Sequence, residues 1–187
     1  MGLLILDRDG VINADSDNYI RSLEDWEPIP GSIAAIAKFS RAGYDVAIAT
    51  NQSGLGRGYF NLEHMQTIHD RLHQLVSQEG GRIAGIYYCP HLPDAGCSCR
   101  KPAVGMLQQM ERELEQSAKN AFFVGDSLKD LQAAQAYGCR PVVVKTGKGM
   151  KTLRTLHSDK PGVERPLDIP VYADLSTACD AILAAAI

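Results

Sequence analysis

Short apolar runs alternate along this chain with longer amphipathic stretches. Leu3-Leu4-Ile5-Leu6 is continuously apolar and stops at Asp7, the pattern of a strand buried on both faces of a parallel sheet. Tyr44–Thr50, Ile83–Tyr88, Ala121–Val124 and Pro141–Val144 repeat that pattern, and Ile169–Ala173 offers a sixth, edge strand. Helical periods lie between them. One starts at Pro30-Gly31 and carries Ile33, Ile36, Ala37 and Phe39; a long one runs from Asn61 to Gly80-Gly81. Val104, Leu107, Met110 and Leu114 mark another, Leu128 to Tyr137 a fourth closed by Gly138, and Leu175, Ala178, Ile182 and Ala185 a terminal one. Residues 145–168 show no clear period and are rich in Lys and Arg. Strand–helix alternation of this kind predicts an α/β fold with a doubly wound parallel sheet. At 187 residues, one core and a single domain over 1–187 are expected.

Charge and hydropathy narrow the partners. With 19 basic and 22 acidic residues the net charge is −3, and no broad basic field is available to hold nucleic acid. The apolar runs fall far short of the ~18 residues that span a bilayer. The start, MGLLILDRDG, has no basic n-region and its apolar run ends at Asp7, so it does not read as a secretory signal and a cytoplasmic address is expected. No feature specifies an oligomer, and a monomer is expected.

Ligands of such sheets bind beyond the carboxyl ends of the strands, and the reactive residues fall there. Asp7 and Asp9 follow the first strand, Thr50-Asn51 the second, Cys89 the third and Asp126 the fourth. Two carboxylates one residue apart at a buried strand end are costly unless something offsets their repulsion. Mg²⁺ does so, with Asp126 as a natural third ligand, and an Asp can also attack phosphorus. Thr50 and the backbone after it could hold phosphoryl oxygens, and Arg100-Lys101 supplies fixed positive charge. Each piece alone can also be turn or helix-cap chemistry.

Five cysteines argue against a simple disulfide framework. Cys89, His91, Cys97 and Cys99 offer three sulfurs and an imidazole within eleven residues, a set suited to a tetrahedral structural zinc site. Free thiols or a Cys97–Cys99 pairing are the alternatives. A filled zinc site would clamp the loop and present Arg100 and Lys101. His64, His69 and His73 read as a solvated face of the long helix, and Cys139 and Cys179 as small buried hydrophobes.

The order Asp7-x-Asp9, Thr50, Lys101, Gly125-Asp126 with Asp130 resembles the haloacid dehalogenase superfamily of phosphatases over most of the chain. The resemblance implies a Rossmann-like core. It makes Asp7 the nucleophile and Asp9 the general acid/base. Asp7, Asp9 through its main-chain carbonyl, and Asp126 would hold Mg²⁺, while Thr50, Arg100 and Lys101 stabilise the phosphoryl group. The connections at 10–30 and 89–103 are too short for an inserted cap domain, so a capless member is expected. Within the superfamily, the cysteine loop with Cys99-Arg100-Lys101-Pro102 is similar to two families, one acting on heptose 1,7-bisphosphates and one on histidinol phosphate. The stretch TNQSGLGRG from Thr50 to Gly58, Asn13-x-Asp15 with Tyr19, and Gly147-Lys148-Gly149 look like the former. That family would use Asp15, Tyr19, Asn51, Gln52, Ser53, Arg57 and Ser127 toward a small phosphorylated sugar, although Ser127 stands where its members often carry Lys. It would release the C7 phosphate and leave a heptose 1-phosphate for nucleotide activation and lipopolysaccharide core synthesis.

Overall fold

The structure is a computed structural model and describes residues 2–157 and 169–185. Six strands form one all-parallel sheet: β1 (Leu3–Leu6), β2 (Asp45–Asn51), β3 (Gly85–Cys89), β4 (Phe122–Gly125), β5 (Arg140–Val144) and β6 (Val171–Tyr172). Their order is β3-β2-β1-β4-β5-β6. The helices are α1 (Ser32–Arg41), α2 (Ser53–Gly56), α3 (Leu62–Gln78), α4 (Gly105–Leu114), α5 (Leu128–Tyr137), α6 (Gly149–Leu156) and α7 (Leu175–Ala184).

Side-chain alternation along β1 divides the core into two layers. Leu4 and Leu6 pack with Ile36 and Phe39 of α1, Ile68, Leu72 and Val76 of α3, and Leu175 and Ile182 of α7. Leu3 and Ile5 face the other side, against Met106, Leu107 and Met110 of α4 and Ala133 and Ala134 of α5. This explains why β1 is apolar at every position: neither face meets water. Each such side chain, fully buried, contributes roughly 1.5–3 kcal/mol.

The chain leaves β1 toward β2 on one side and reaches β4 on the other, so the order reverses there. A crevice opens at such a reversal, between the carboxyl ends of β1 and β4. Asp7 follows β1 and Asp126 follows β4, which places both acids at its base. The connections 7–31 and 90–104 contain no helix or ladder of their own, only single bridges from Asn13 to Asp9 and Pro28. Among the described residues no cap domain covers the crevice.

Two elements were not legible in the sequence. The glycine-containing loop after Asn51 holds the single-turn helix α2, and the Lys/Arg-rich stretch holds α6. In α6 only Gly149 and Thr152 are fully buried, and at eight residues the helix is too short for Met150, Leu153 and Leu156 to establish a period. The remainder of that stretch, 158–168, lies outside the described residues. No helix of the described residues is long and apolar enough to cross a membrane.

Candidate active site

The crevice floor is a cluster of acids around one ammonium. Carboxylate oxygens of Asp7, Asp126 and Asp130 lie within 4.8 Å of one another. Lys101 Nζ stands 2.9 Å from Asp7 Oδ1 and 2.6 Å from Asp130 Oδ1, and it also donates to Ala49 O at 2.7 Å. Three buried acids against one cation leave an excess of negative charge. Burial, then the Asp130 charge, raises the Asp7 carboxyl well above the ordinary range, with Lys101 acting in the opposite direction. Burial and Asp130 likewise push Asp126 up to about 7. Burial would pull Lys101 down, but Asp130 and Asp7 more than offset it and its pKa is raised. A compact set of hard oxygen donors with surplus charge is what a divalent cation neutralises.

Backbone geometry fixes these acids. Asp7 N–H donates to Val124 O at 3.0 Å, tying the end of β1 to β4. Asp126 is wedged between two glycines: a Cβ at Gly10 would fall 2.1 Å, and one at Gly147 2.2 Å, from its Oδ2, and both have positive φ. The loop after β5 closes on the same residue. Lys148 N–H donates to Asp126 Oδ2 at 2.6 Å, and Thr152 Oγ1 to Asp126 O at 2.8 Å.

Asp9 is held apart from this cluster. Arg8 grips it with two contacts, Nε to Oδ1 at 3.0 Å and Nη2 to Oδ2 at 3.2 Å. Asn13 donates to Oδ1 at 2.9 Å and Gln52 to Oδ2 at 2.8 Å. Burial works against ionisation, but these contacts, Arg8 foremost, outweigh it and lower the Asp9 pKa.

His69 departs from the expected solvated face: it is buried at 4% exposure, while His64 and His73 are exposed. Its Nε2 lies 3.3 Å from Arg8 Nη1. A guanidinium only donates, so Nε2 must accept and the proton sits on Nδ1. Burial, then the Arg8 charge, lowers the His69 pKa to about 4. Between about 6.5 and 4 the unfolded imidazole binds a proton that the folded one refuses, so this contribution is complete above 6.5 and is lost as pH falls. Between pH 7 and 5 the native state should lose about 2 kcal/mol through this group. Urea unfolding at the two pH values measures it, and His69→Gln, which keeps an acceptor for Arg8, should flatten the slope. An equally steep slope in the variant would assign the loss elsewhere.

The positive side of the site is built on β2 and the cysteine loop. Asn51 clasps the Lys101 backbone, accepting from its N–H at 3.0 Å and donating to its carbonyl at 3.1 Å. Gln52 bridges Thr50 Oγ1 at 2.9 Å to Asp9. Asn51 and Gln52 thus position other site residues, whatever contact they make with a ligand. Arg100 Nη1 donates to His91 O at 3.1 Å, which ties it to the cysteine cluster. Ser127 caps α5 and bonds Asp130 Oδ2 through its hydroxyl at 2.6 Å and its N–H at 2.9 Å.

Of the residues the sequence nominates for phosphoryl chemistry and substrate contact, all but Arg57 line one cavity of about 480 Å³. Arg57 is exposed at the end of α2, outside that lining. Asp15 lines the mouth and pairs with Lys148 at 2.7 Å. Tyr19, with φ of 65°, lines it too and packs edge-on against Tyr59. Lys148, Lys151, Thr152 and Thr155 join from α6 and the residue before it, and Lys129 joins from α5. The sequence did not single out Arg8, Lys129 or Asp130's grip on Lys101. The Ser127-x-x-Asp130 spacing of a capping box was the one signal for the last.

The second cluster has the shape of a metal site. Cys89, Cys97 and Cys99 sulfurs are 3.1–3.6 Å apart, and His91 Nδ1 lies 3.5 Å from Cys89 and 3.2 Å from Cys99. A Zn–S length of about 2.3 Å gives a tetrahedron with edges of about 3.8 Å, close to these separations. No disulfide joins these sulfurs.

Strand-end acids at the reversal of a parallel sheet, facing a buried lysine, define the phosphatase class of the haloacid dehalogenase fold. The HAD-hydrolase-like family model matches residues 98–166. A D-glycero-β-D-manno-heptose-1,7-bisphosphate 7-phosphatase from Pseudomonas aeruginosa is 52% identical over 97% of both chains. Its counterpart from Pseudomonas putida is 57% identical over 82% of this chain and 87% of its own. The crystal structure of a D,D-heptose 1,7-bisphosphate phosphatase from B. bronchiseptica, complexed with magnesium and phosphate, superposes with a TM-score of 0.91 at 44% identity and covers 99% of both chains. The chain belongs to the D-glycero-β-D-manno-heptose-1,7-bisphosphate 7-phosphatase family, and it is a phosphoric monoester hydrolase.

Proposed function

We propose that the enzyme hydrolyses the C7 phosphate of D-glycero-β-D-manno-heptose 1,7-bisphosphate and leaves the 1-phosphate. An Asp7 oxygen attacks phosphorus, the bond from phosphorus to the C7 oxygen breaks, and Asp9 gives its proton to that oxygen. Water then attacks the aspartyl-phosphate, Asp9 takes the water's proton, and phosphate leaves with Asp7 restored. Arg8, Asn13 and Gln52 keep Asp9 ionised in the resting site, the form the second half needs. A phosphate dianion entering beside it favours the protonated form that the first half needs. Thr50 and Lys101 face the transferring oxygens.

The acids of the floor fit Mg²⁺, which Asp7, Asp126 and the main-chain carbonyl of Asp9 would hold. When bound, it supplies the positive charge that lets a carboxylate approach a phosphate. The cysteine cluster fits a structural zinc ion, with all four positions filled by protein.

The observation that carries the reaction is the 2.9 Å approach of Lys101 to Asp7 within the acid cluster, and the family supports the sugar. The test is kcat/KM over a panel of phosphate esters with Mg²⁺. The heptose 1,7-bisphosphate should exceed histidinol phosphate and generic esters by at least about 100-fold. Preference for histidinol phosphate would replace the sugar and leave the mechanism standing.

A further inference from the structure

Helix α3 buries Met65, Ile68, His69, Leu72 and Val76 along one stripe, and His69 is the polar member of that set. A polar ring in an apolar stripe is costly unless it has a partner. The partner is Arg8, itself 1% exposed, whose Nη1 lies 3.3 Å from His69 Nε2. The ring also stands against Tyr88 of β3, with centroids 6.3 Å apart. An apolar pair of similar shape in place of Arg8 and His69 would hold the fold about as well. The pair therefore calls for a reason beyond packing.

The other nitrogens of Arg8 supply that reason. Nε and Nη2 fork onto the two Asp9 oxygens at 3.0 and 3.2 Å. A guanidinium is planar and rigid, so the partner of Nη1 fixes the plane of the fork. Asp9 lines the cavity, whereas among the described residues of α3 none does. His69 touches the site through Arg8. Without its acceptor, Nη1 would be a buried donor left unpaired, which drives such a group to turn toward another partner. The fork would turn with it. Asn13 and Gln52 each hold one Asp9 oxygen, so the carboxyl would stay bound but misdirected.

We propose that His69 is a positioning residue for proton transfer: through Arg8 it aims the Asp9 carboxyl at the leaving oxygen. This rests on the acid/base reading of Asp9 above and adds to it the residue that sets the direction of that acid. As the bond from phosphorus to the C7 oxygen breaks, its electron pair stays on that oxygen, which takes the Asp9 proton. A primary alkoxide needs that proton in order to leave. p-Nitrophenolate leaves without it, so an aryl ester does not depend on where Asp9 points.

The ratio of kcat/KM for heptose 1,7-bisphosphate to kcat/KM for p-nitrophenyl phosphate, both with Mg²⁺, isolates the proton transfer. Any primary alkyl phosphate that the enzyme accepts can stand for the sugar. His69→Leu, which removes the acceptor, should lower the ratio at least about tenfold, part of what general acid catalysis contributes. His69→Asn, one methylene too short to reach Arg8, should do the same and serves if the Leu variant does not fold. His69→Gln, which keeps an acceptor within reach, should recover most of the ratio. Melting curves establish that the variants compared are folded. A ratio within about twofold of wild type in folded His69→Leu or His69→Asn overturns the proposal, since a misdirected acid must cost more than that. So does a Gln variant no better than Leu, or a loss equal on both esters, which would make His69 a packing residue. Asp9→Asn is the separate control: a wild-type ratio there overturns the acid role of Asp9, and the His69 link with it.

Discussion

Asp7→Asn should remove turnover almost completely while leaving the fold as stable as before. An amide oxygen is a poor nucleophile and a poor ligand for a hard cation, and no other carboxylate can replace it in line. Asp9 is bound by Arg8, Asn13 and Gln52, and Asp130 by Lys101 and Ser127. Loss of a covalent nucleophile is expected to lower kcat by about 10⁴-fold or more, at least about 5 kcal/mol of transition-state stabilisation. Retention of a tenth of wild-type kcat would take Asp7 out of that role. Stability should respond differently. Burial and the neighbouring acids already disfavour the ionised Asp7, and Asn removes that charge with little change of shape. Lys101 keeps Asp130 as a partner at 2.6 Å. Thermal melting without added magnesium should therefore show a Tm equal to or above that of wild type. A fall of more than a few degrees would mean that Asp7 is needed to hold Lys101, making it a structural anchor as well as a nucleophile.

The distribution of what could be read from the sequence follows from the same physics. Asp7, Thr50 and Asp126 were legible because a strand buried on both faces must be apolar, so the first polar residue after it marks the end that faces ligand. The cysteine cluster was legible because its ligands lie close together in the chain. His69 was not: its burial depends on Arg8, sixty-one positions away, swinging under α3 to reach it. Helix α6 was hidden because it is only eight residues long, too short for Met150, Leu153 and Leu156 to establish a period, and its buried Thr152 is there to bond the Asp126 carbonyl. Arg57 was grouped with the site by its neighbours in sequence, and it stands exposed outside the cavity lining. The turn of α2 that follows Ser53 carries it away from the cavity. Lys101 illustrates the limit of motif reading. Its position was evident, but its charge state and orientation depend on Asp130 and Asn51, which approach from α5 and β2.

The cysteine loop should hold one zinc ion per chain, and losing it should cost activity through Arg100 and Lys101. Arg100 is anchored to the carbonyl of His91, and Gln52 N–H bonds Cys89 O at 2.8 Å, so both ends of the cluster are tied to the active site. Without metal, burial pushes the Cys89 thiol up to about 12, and the Cys99 thiol is raised as well. Cys97 differs: burial opposes its ionisation, but the Arg100 N–H and the neighbouring thiols outweigh that and bring it to about 6. At pH 7 the metal-free loop therefore carries one thiolate and two thiols. Zinc takes thiolates, so its binding should release about two protons per ion from the cysteines. Titration of metal-free protein in weakly buffered solution reads that number, and release near zero would mean that all three cysteines are ionised before zinc arrives. Elemental analysis of protein purified without chelator should find the zinc, and Cys97→Ala with Cys99→Ala should lack it. The same double variant should lose at least about tenfold in kcat/KM, because a misplacement near 1 Å of a phosphate-holding group costs up to about 100-fold. Full activity in a zinc-free variant would show that Asn51 and the Asp7–Asp130 pair hold Lys101 in place without the loop's metal.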